Sequence, residues 1–237
     1  MPYFLCDQNL SAGLTAEVVG DEARHILVHR PKIGEEIKLQ GPDGKRYLCK
    51  IVEVKKTHLL AKADKEILPP KEPDLKITLF QSVVSEKALD FIFQKGTELG
   101  VSKIILFNSQ NTAVKLSGDK FKSKQERWNK ILIESAKQCE RGVWPELEFL
   151  LDVDQVLSSA KIFDKVFLAD ISGQPINHFN RDQSWSILSI IIGPEGGFTQ
   201  EELSKFKSLS NAEVVSLGPI LLRAETASLA SLAKMLN

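Results

Sequence analysis

The sequence predicts an α/β protein in two domains: a small one of short strands, then a larger one in which strands and helices alternate. Three observations carry this. Pro69, Pro70 and Pro73 crowd residues 66–74, remove backbone donors and force an extended path, which marks a linker. Before it, apolar residues alternate in short runs with turn chemistry between them. After it, helical spacing alternates with brief apolar runs, the order of a mostly parallel sheet covered by helices.

In the first domain, residues 36–40 and 47–54 read as strands, the second with Tyr47, Cys49 and Ile51 alternating. Between them stands Gly41-Pro42-Asp43-Gly44, where proline presets φ and glycine accepts φ > 0. A further strand fits 59–63. Several short strands in so small a span suggest a small barrel, a binding module rather than a catalytic body.

Beyond the linker, a strand over 76–84 precedes a helix over 85–99, whose Leu89, Ile92, Phe93 and Gly96 share a face. A strand follows at 101–107. Residues 123–140 place Trp128, Ile131, Leu132, Ser135 and Cys139 at helical spacing. Residues 165–169 and 187–192 are apolar runs of the kind buried on both faces of a parallel sheet. Thr199 and Glu202 form a capping box for a helix over 200–207. A strand at 213–217 and a helix at 224–236 close the chain.

Composition excludes several function classes. No stretch approaches the roughly 18 apolar residues a membrane span needs, and the start lacks a basic region followed by an apolar run, so a cytoplasmic protein with no membrane partner is expected. Cys6, Cys49 and Cys139 are widely spaced and form no CxxC pair or Cys/His cluster, so free thiols and no metal are expected. With 31 basic and 31 acidic residues, the net charge is zero, and any nucleic-acid site must come from local asymmetry. Lys115, Lys120, Lys122, Lys124, Arg127 and Lys130 form one such run, although a charge run alone reads more readily as a solvated face.

Two loops carry the chemistry. In parallel α/β sheets ligands bind at the carboxyl edge of the strands. Gly193-Pro194-Glu195-Gly196-Gly197 follows the strand at 187–192, and Leu217-Gly218-Pro219-Ile220-Leu221-Leu222-Arg223-Ala224-Glu225-Thr226 follows the next. Taken singly, each is a plain connector. Together, at equivalent positions, they point to one pocket. The first loop fits neither GxGxxG nor GxxxxGK[ST] and holds no lysine, which disfavours a polyphosphate. Backbone-lined loops with one carboxylate suit a neutral or cationic ligand such as S-adenosylmethionine.

The strings IGPEGGF, LGPILLRAETA, QKGTELGV at 94–101 and RWNKILIESAKQCERGVWP at 127–145 resemble the ribosomal small-subunit methyltransferase E family, of the knotted SPOUT superfamily. His25-Ile26-Leu27-Val28-His29-Arg30 resembles the family's HxxVLR motif, with His29 in place of the usual leucine, and Ile220 stands where its LGPRILR motif has arginine. The resemblance implies a PUA-like RNA-binding barrel over 1–70 and a trefoil-knotted methyltransferase domain over 74–237. It further implies a homodimer, S-adenosylmethionine as cofactor, and methylation at N3 of one uracil in 16S rRNA of the small ribosomal subunit.

Residue by residue, the resemblance places the cofactor among Gly193, Pro194, Glu195, Gly196, Gly197, Leu217, Gly218, Leu222 and Thr226. Leu168 and Ala169, at a strand end, either flank the adenine or are plain core. Glu195 either accepts from the ribose hydroxyls or sits near the sulfonium, or it bonds its own loop's amides. Loss of the uracil N3 proton asks for a base and a positive donor, for which Glu225 and Arg223 are the candidates. The alternative is an ordinary ion pair at a helix start. His25, Arg30, Arg127 and Arg141 are the expected RNA contacts, arginine being suited to phosphate. Rival readings are another SPOUT methyltransferase, acting on a ribose 2′-hydroxyl or a tRNA base, and a non-catalytic RNA-binding assembly protein.

Overall fold

A computed structural model describes residues 2–176 and 184–236. The chain divides into two compact units, Met1–Glu72 with Ala136–Val143, and Pro73–Ser135 with Trp144–Asn237. The break at Glu72 lies within the proline-rich segment.

The first unit holds β1 (Tyr3–Leu5), β2 (Thr15–Val18), helix α1 (Gly20–Leu27), β3 (Glu36–Gln40), β4 (Arg46–Val54) and β5 (Leu59–Ile67). They form a five-stranded sheet in the order β1-β3-β4-β5-β2. β1 joins β3 in parallel and the other pairs are antiparallel. The turn at Gly41 and Gly44 closes the β3–β4 hairpin, with the Gly44 N–H on the Gly41 carbonyl at 3.0 Å. Tyr47, Cys49 and Ile51 all point inward, as their alternation predicts. Burial pushes the Cys49 thiol up to about 12, so it stays protonated and inert at neutral pH. β1, β2 and α1 escape the sequence patterns because each is too short to show a period.

Arg46 is the largest charged group in this core, at 1% exposure. Its guanidinium lies 3.7 Å from the centre of the Tyr3 ring. It donates to Gln40 Oε1 at 2.8 Å and to the carbonyls of Glu140 and Arg141 at 3.1 and 3.0 Å. The late segment Ala136–Val143 is further tied by Lys137 to Glu22 at 2.6 Å, Glu140 to Lys38 at 2.7 Å, and Arg141 to Glu72 at 2.7 Å. The Lys38 ammonium holds the Glu140 carboxyl below its ordinary range.

The second unit contains β6 (Lys76–Ser82), α2 (Glu86–Leu99), β7 (Lys103–Phe107), α3 (Gly118–Gln138, whose last residues belong to the first unit), β8 (Glu146–Leu150), α4 (Val153–Ala160), β9 (Lys165–Pro175), β10 (Ile187–Ile192), α5 (Gln200–Lys207), β11 (Ala212–Ser216) and α6 (Ala224–Leu236). The six strands lie in the order β11-β9-β10-β6-β7-β8, and every pair is parallel. One face buries Ile77, Leu79, Ile104 and Ile190 against α2 and α6, the other Phe80, Ile105 and Ile191 against α4 and α5. The expected α/β layering holds. The sequence passes over β8 and α4, and it ends the β9 strand at residue 169.

β9 in fact runs to Pro175 and meets β11 twice. Val214 pairs with Leu168, the register shifts, and Val215 pairs with Gln174. At the second meeting the backbones lie so close that a Cβ on Gly173 would sit 2.5 Å from the Val215 carbonyl carbon.

Two outcomes follow. Gly173→Ala must push β9 from β11 and is expected to abolish soluble folded protein or cost at least about 3 kcal/mol in urea unfolding. Arg46→Ala strands a buried amide oxygen and two carbonyls and is expected to cost about 2–4 kcal/mol. A loss below about 1 kcal/mol in the same unfolding measurement would mean that water replaces the guanidinium.

Candidate functional site

A cavity of about 410 Å³ opens at one edge of the parallel sheet, between the middle of β9 and the loops that follow β10 and β11. β9 contributes Ala169, Asp170 and Ile171. The β10 end contributes Ile192 through Phe198, so Gly193, Pro194, Glu195, Gly196 and Gly197 all line it. From the β11 end come Ser216, Leu217 and Gly218, then Ile220 through Ala224, followed by Ala227 of α6. The structure thus brings together the two loops that the sequence singles out.

Local chemistry explains the shape of the first loop. The Gly197 N–H donates to the Pro194 carbonyl at 2.9 Å, and Gly197 takes φ +69°, a left-handed conformation open to glycine. Phe198 then turns inward, stacked on Phe107 at 6.4 Å and edge-on to Phe206 at 5.2 Å. Its ring packs so closely on Gly193 that a Cβ there would meet it at 3.0 Å. The predicted capping box is present: Thr199 Oγ1 accepts from the Glu202 N–H at 3.2 Å, and Glu202 accepts from the Thr199 N–H at 2.9 Å. The second loop is held by the Ser216 hydroxyl, which donates to the Gly218 carbonyl at 3.0 Å.

Charged groups at this edge stand apart from one another. The Glu195 carboxylate is exposed and, among the described residues, bonds no amide of its own loop. Arg223 lines the cavity, is exposed, and forms no ion pair with Glu225 among the described residues. Glu225 is half-buried in the first turn of α6, outside the cavity lining, and Thr226 is exposed and also outside it. Leu168, at 1% exposure, lies in the core rather than in the wall; its neighbour Ala169 reaches the wall. Ile220 and Leu221 are 75% and 80% exposed at the rim.

The expected RNA contacts divide. His25 on α1 and Arg30, at φ +52°, are exposed in the first unit. Arg127, on α3 in the second, is exposed but forks onto the Asp90 carboxylate, one arm at 3.0 Å. Arg141 requires correction: it lies beyond the end of α3, is 8% exposed, and is spent on Glu72. Its signal, an arginine within a basic motif, could not show that a carboxylate far back in the chain would claim it. Trp128 is core, packed against Phe93 and Phe121. Among the described residues no group of His, Cys, Asp and Glu could hold a metal ion, and no helix is long and apolar enough to cross a membrane. Sequence reasoning missed Asp170, Ile171 and Phe198 as lining residues, and also Asn111, which meets the first loop from the end of another strand.

Residues 70–236 match the model of a family described as an RNA methyltransferase domain. The ribosomal RNA small subunit methyltransferase E of Bacillus subtilis (strain 168) is 32% identical over 236 residues, which cover 96% of this chain and 92% of that one. The protein of the same name from Mesomycoplasma hyopneumoniae (strain 232) is 33% identical over 166 residues, 70% of this chain and 71% of its own. Among solved structures, a Legionella pneumophila protein in complex with the bound cofactor SAM aligns with a TM-score of 0.85 at 27% identity, covering 98% of this chain and 96% of that one. The ribosomal RNA small subunit methyltransferase E of Neisseria gonorrhoeae bound to S-adenosyl methionine aligns with a TM-score of 0.84 at 28% identity, covering 99% and 96%.

Because Gly197 is left-handed, Gly197→Ala is expected to cost about 1–2 kcal/mol in urea unfolding and to disturb the cavity wall. An unchanged midpoint would show that the loop relaxes freely.

Proposed function

The chain belongs to the ribosomal RNA small subunit methyltransferase E family, and we propose that it transfers a methyl group from S-adenosylmethionine to N3 of a uracil in 16S rRNA. One observation carries the reading: the glycine-rich ends of β10 and β11 line a single cavity whose wall includes an arginine with no ion-pair partner among the described residues.

The cavity fits the cofactor's chemistry. At about 410 Å³ it falls within the roughly 300–1,000 Å³ of ligand pockets. Ile171, Ile192, Leu217 and Leu222 offer apolar surface for a flat base, and the glycine stretches offer backbone N–H and C=O groups. Glu195 presents a carboxylate suited to ribose hydroxyls or to a cation. Bound there, S-adenosylmethionine would supply an electrophilic sulfonium methyl. Arg223 would hold the negative charge that spreads onto the uracil oxygens as the N3 proton leaves, and Glu225 would take that proton. The N-terminal end of α6, where Ala224 and Ala227 reach the cavity, adds a partial positive field of the same sign.

The wider reading assigns residues 1–70 to a PUA-like barrel and 74–237 to a trefoil-knotted domain, in a cytoplasmic homodimer acting on the small ribosomal subunit. Duplicated surfaces would help a neutral protein hold RNA. His25 and Arg30 are exposed and placed for that role. Arg127 could join them only by leaving Asp90.

Calorimetry with S-adenosylmethionine, then methyl transfer to small subunits lacking the modification, tests the reading. Mass spectrometry of the digested RNA is expected to find 3-methyluridine. No cofactor binding, or a methylated ribose, would overturn it. Arg223→Ala is expected to lower kcat by about 10²–10³-fold. Glu225→Gln is expected to keep cofactor affinity while losing most turnover; a parallel fall in both would make Glu225 structural.

A further inference from the structure

Asn111 lies outside every motif of the two cavity loops, in the stretch that follows β7, yet it grips the first of them. Its side-chain amide donates to the Gly196 carbonyl at 3.3 Å and the Gly197 carbonyl at 3.1 Å. Two successive carbonyls fixed in this way set two peptide planes, because each peptide N–H points opposite its carbonyl. The N–H groups so aimed belong to Gly197, which closes the turn onto Pro194, and to Phe198, whose ring supports Gly193. The turn alone has one backbone bond of its own and a glycine free to change sign of φ. Contact with Asn111 is tight, since a Cβ on Gly196 would stand 3.2 Å from Asn111 Cβ.

Asn111 is itself held still. The Gln110 N–H donates to Glu202 Oε1 at 2.8 Å, while Glu202 Oε2 accepts from Thr199, so one buried carboxylate caps α5 and anchors the neighbouring stretch. On its other side Thr112 Oγ1 accepts from the Ser109 N–H at 2.9 Å and lies 3.0 Å from Ser82 Oγ. Asn108 closes the base of the stretch by donating to the Leu116 carbonyl and accepting from the Leu116 N–H, at 2.8 and 2.9 Å.

We propose that Asn111 is a positioning residue for cofactor affinity: it pins the Gly196 and Gly197 carbonyls and so preorganises the cavity wall. This rests on the cofactor reading above. Because Asn111 is exposed and water competes for its bonds, the pin contributes little to global stability and acts mainly on the loop's freedom.

The test compares Asn111→Asp and Asn111→Ala with the unaltered chain. Aspartate keeps the shape but removes both donors and faces two carbonyls with negative charge. S-adenosylmethionine affinity by calorimetry is expected to fall about tenfold in Asn111→Ala and further in Asn111→Asp. The unfolding midpoint should stay fixed, and turnover at saturating cofactor should recover most of its value. Hydrogen exchange at Gly197, whose N–H is bonded to the Pro194 carbonyl, should quicken in both variants in the ligand-free protein. If Asn111→Asp retains native affinity and native exchange, the proposal is overturned. If the unaltered chain fails to bind S-adenosylmethionine, the cofactor reading falls instead, and exchange at Gly197 alone decides whether the pin exists.

Discussion

The cavity depends on the double pairing of β9 with β11. A strand that simply ended at Leu168 would leave β11 a flat neighbour and no wall between them. The register shift carries Ala169, Asp170 and Ile171 out to line the cavity before Gln174 returns to pair with Val215. The return is possible because Gly173 has no side chain to hold the backbones apart. With β9 seated between β10 and β11 in an all-parallel sheet, the loops after its two neighbours must flank one space. Chemistry at this edge is therefore a product of strand order as much as of loop composition.

Charge is used in opposite ways in the two units. In the first, Arg46, Lys137 and Arg141 are buried and each is met by an acceptor or a carboxylate, as burial of a charge requires. At the cavity, Glu195 and Arg223 keep their charges open toward solvent with no intramolecular partner among the described residues. A group already paired has little left for a ligand, whereas an open one retains its full interaction for the molecule that arrives. The neutrality of the whole chain conceals this division.

What the sequence makes legible follows from the range of the interaction concerned. α5 is readable to the residue because Thr199 and Glu202 cap it locally, and β10 because an apolar run buried on both faces has its own signature. The two cavity loops are readable as glycine-proline breaks between such elements. β1 and β2, of three and four residues, are too short to show a period, and α1 has two turns and no side-chain cap. β8 and α4 match β7 and α5 in length and carry local signals of their own, the alternation of residues 146–150 and the Asp152 cap, so length does not account for their omission. The far half of β9 depends on a partner strand near the other end of the unit, and nothing within 170–175 announces it. Arg141 fails for the same reason, since Glu72 decides its fate, and Asn111 is invisible because its two acceptors lie in a loop more than eighty positions away. For Glu195, the bond to its own loop's amides could be judged only by seeing the carboxylate stand clear of that loop.

The segment Ala136–Val143, bound into the first unit by Arg46, Lys38, Glu22 and Glu72, also orders events on the ribosome. The five strands of that unit are complete once Ile67 is made, but the carbonyls that satisfy Arg46 arrive only with Glu140 and Arg141. At roughly 5–20 residues per second the nascent sheet waits several seconds with the Arg46 guanidinium lacking two of its final acceptors. During that interval the helical half of α3 and the strands β6 and β7 are already emerging. The amino-terminal unit is thus finished late, after part of the body that follows it in the chain has been synthesised, and the two halves of the polypeptide are interleaved in time although each has a core of its own.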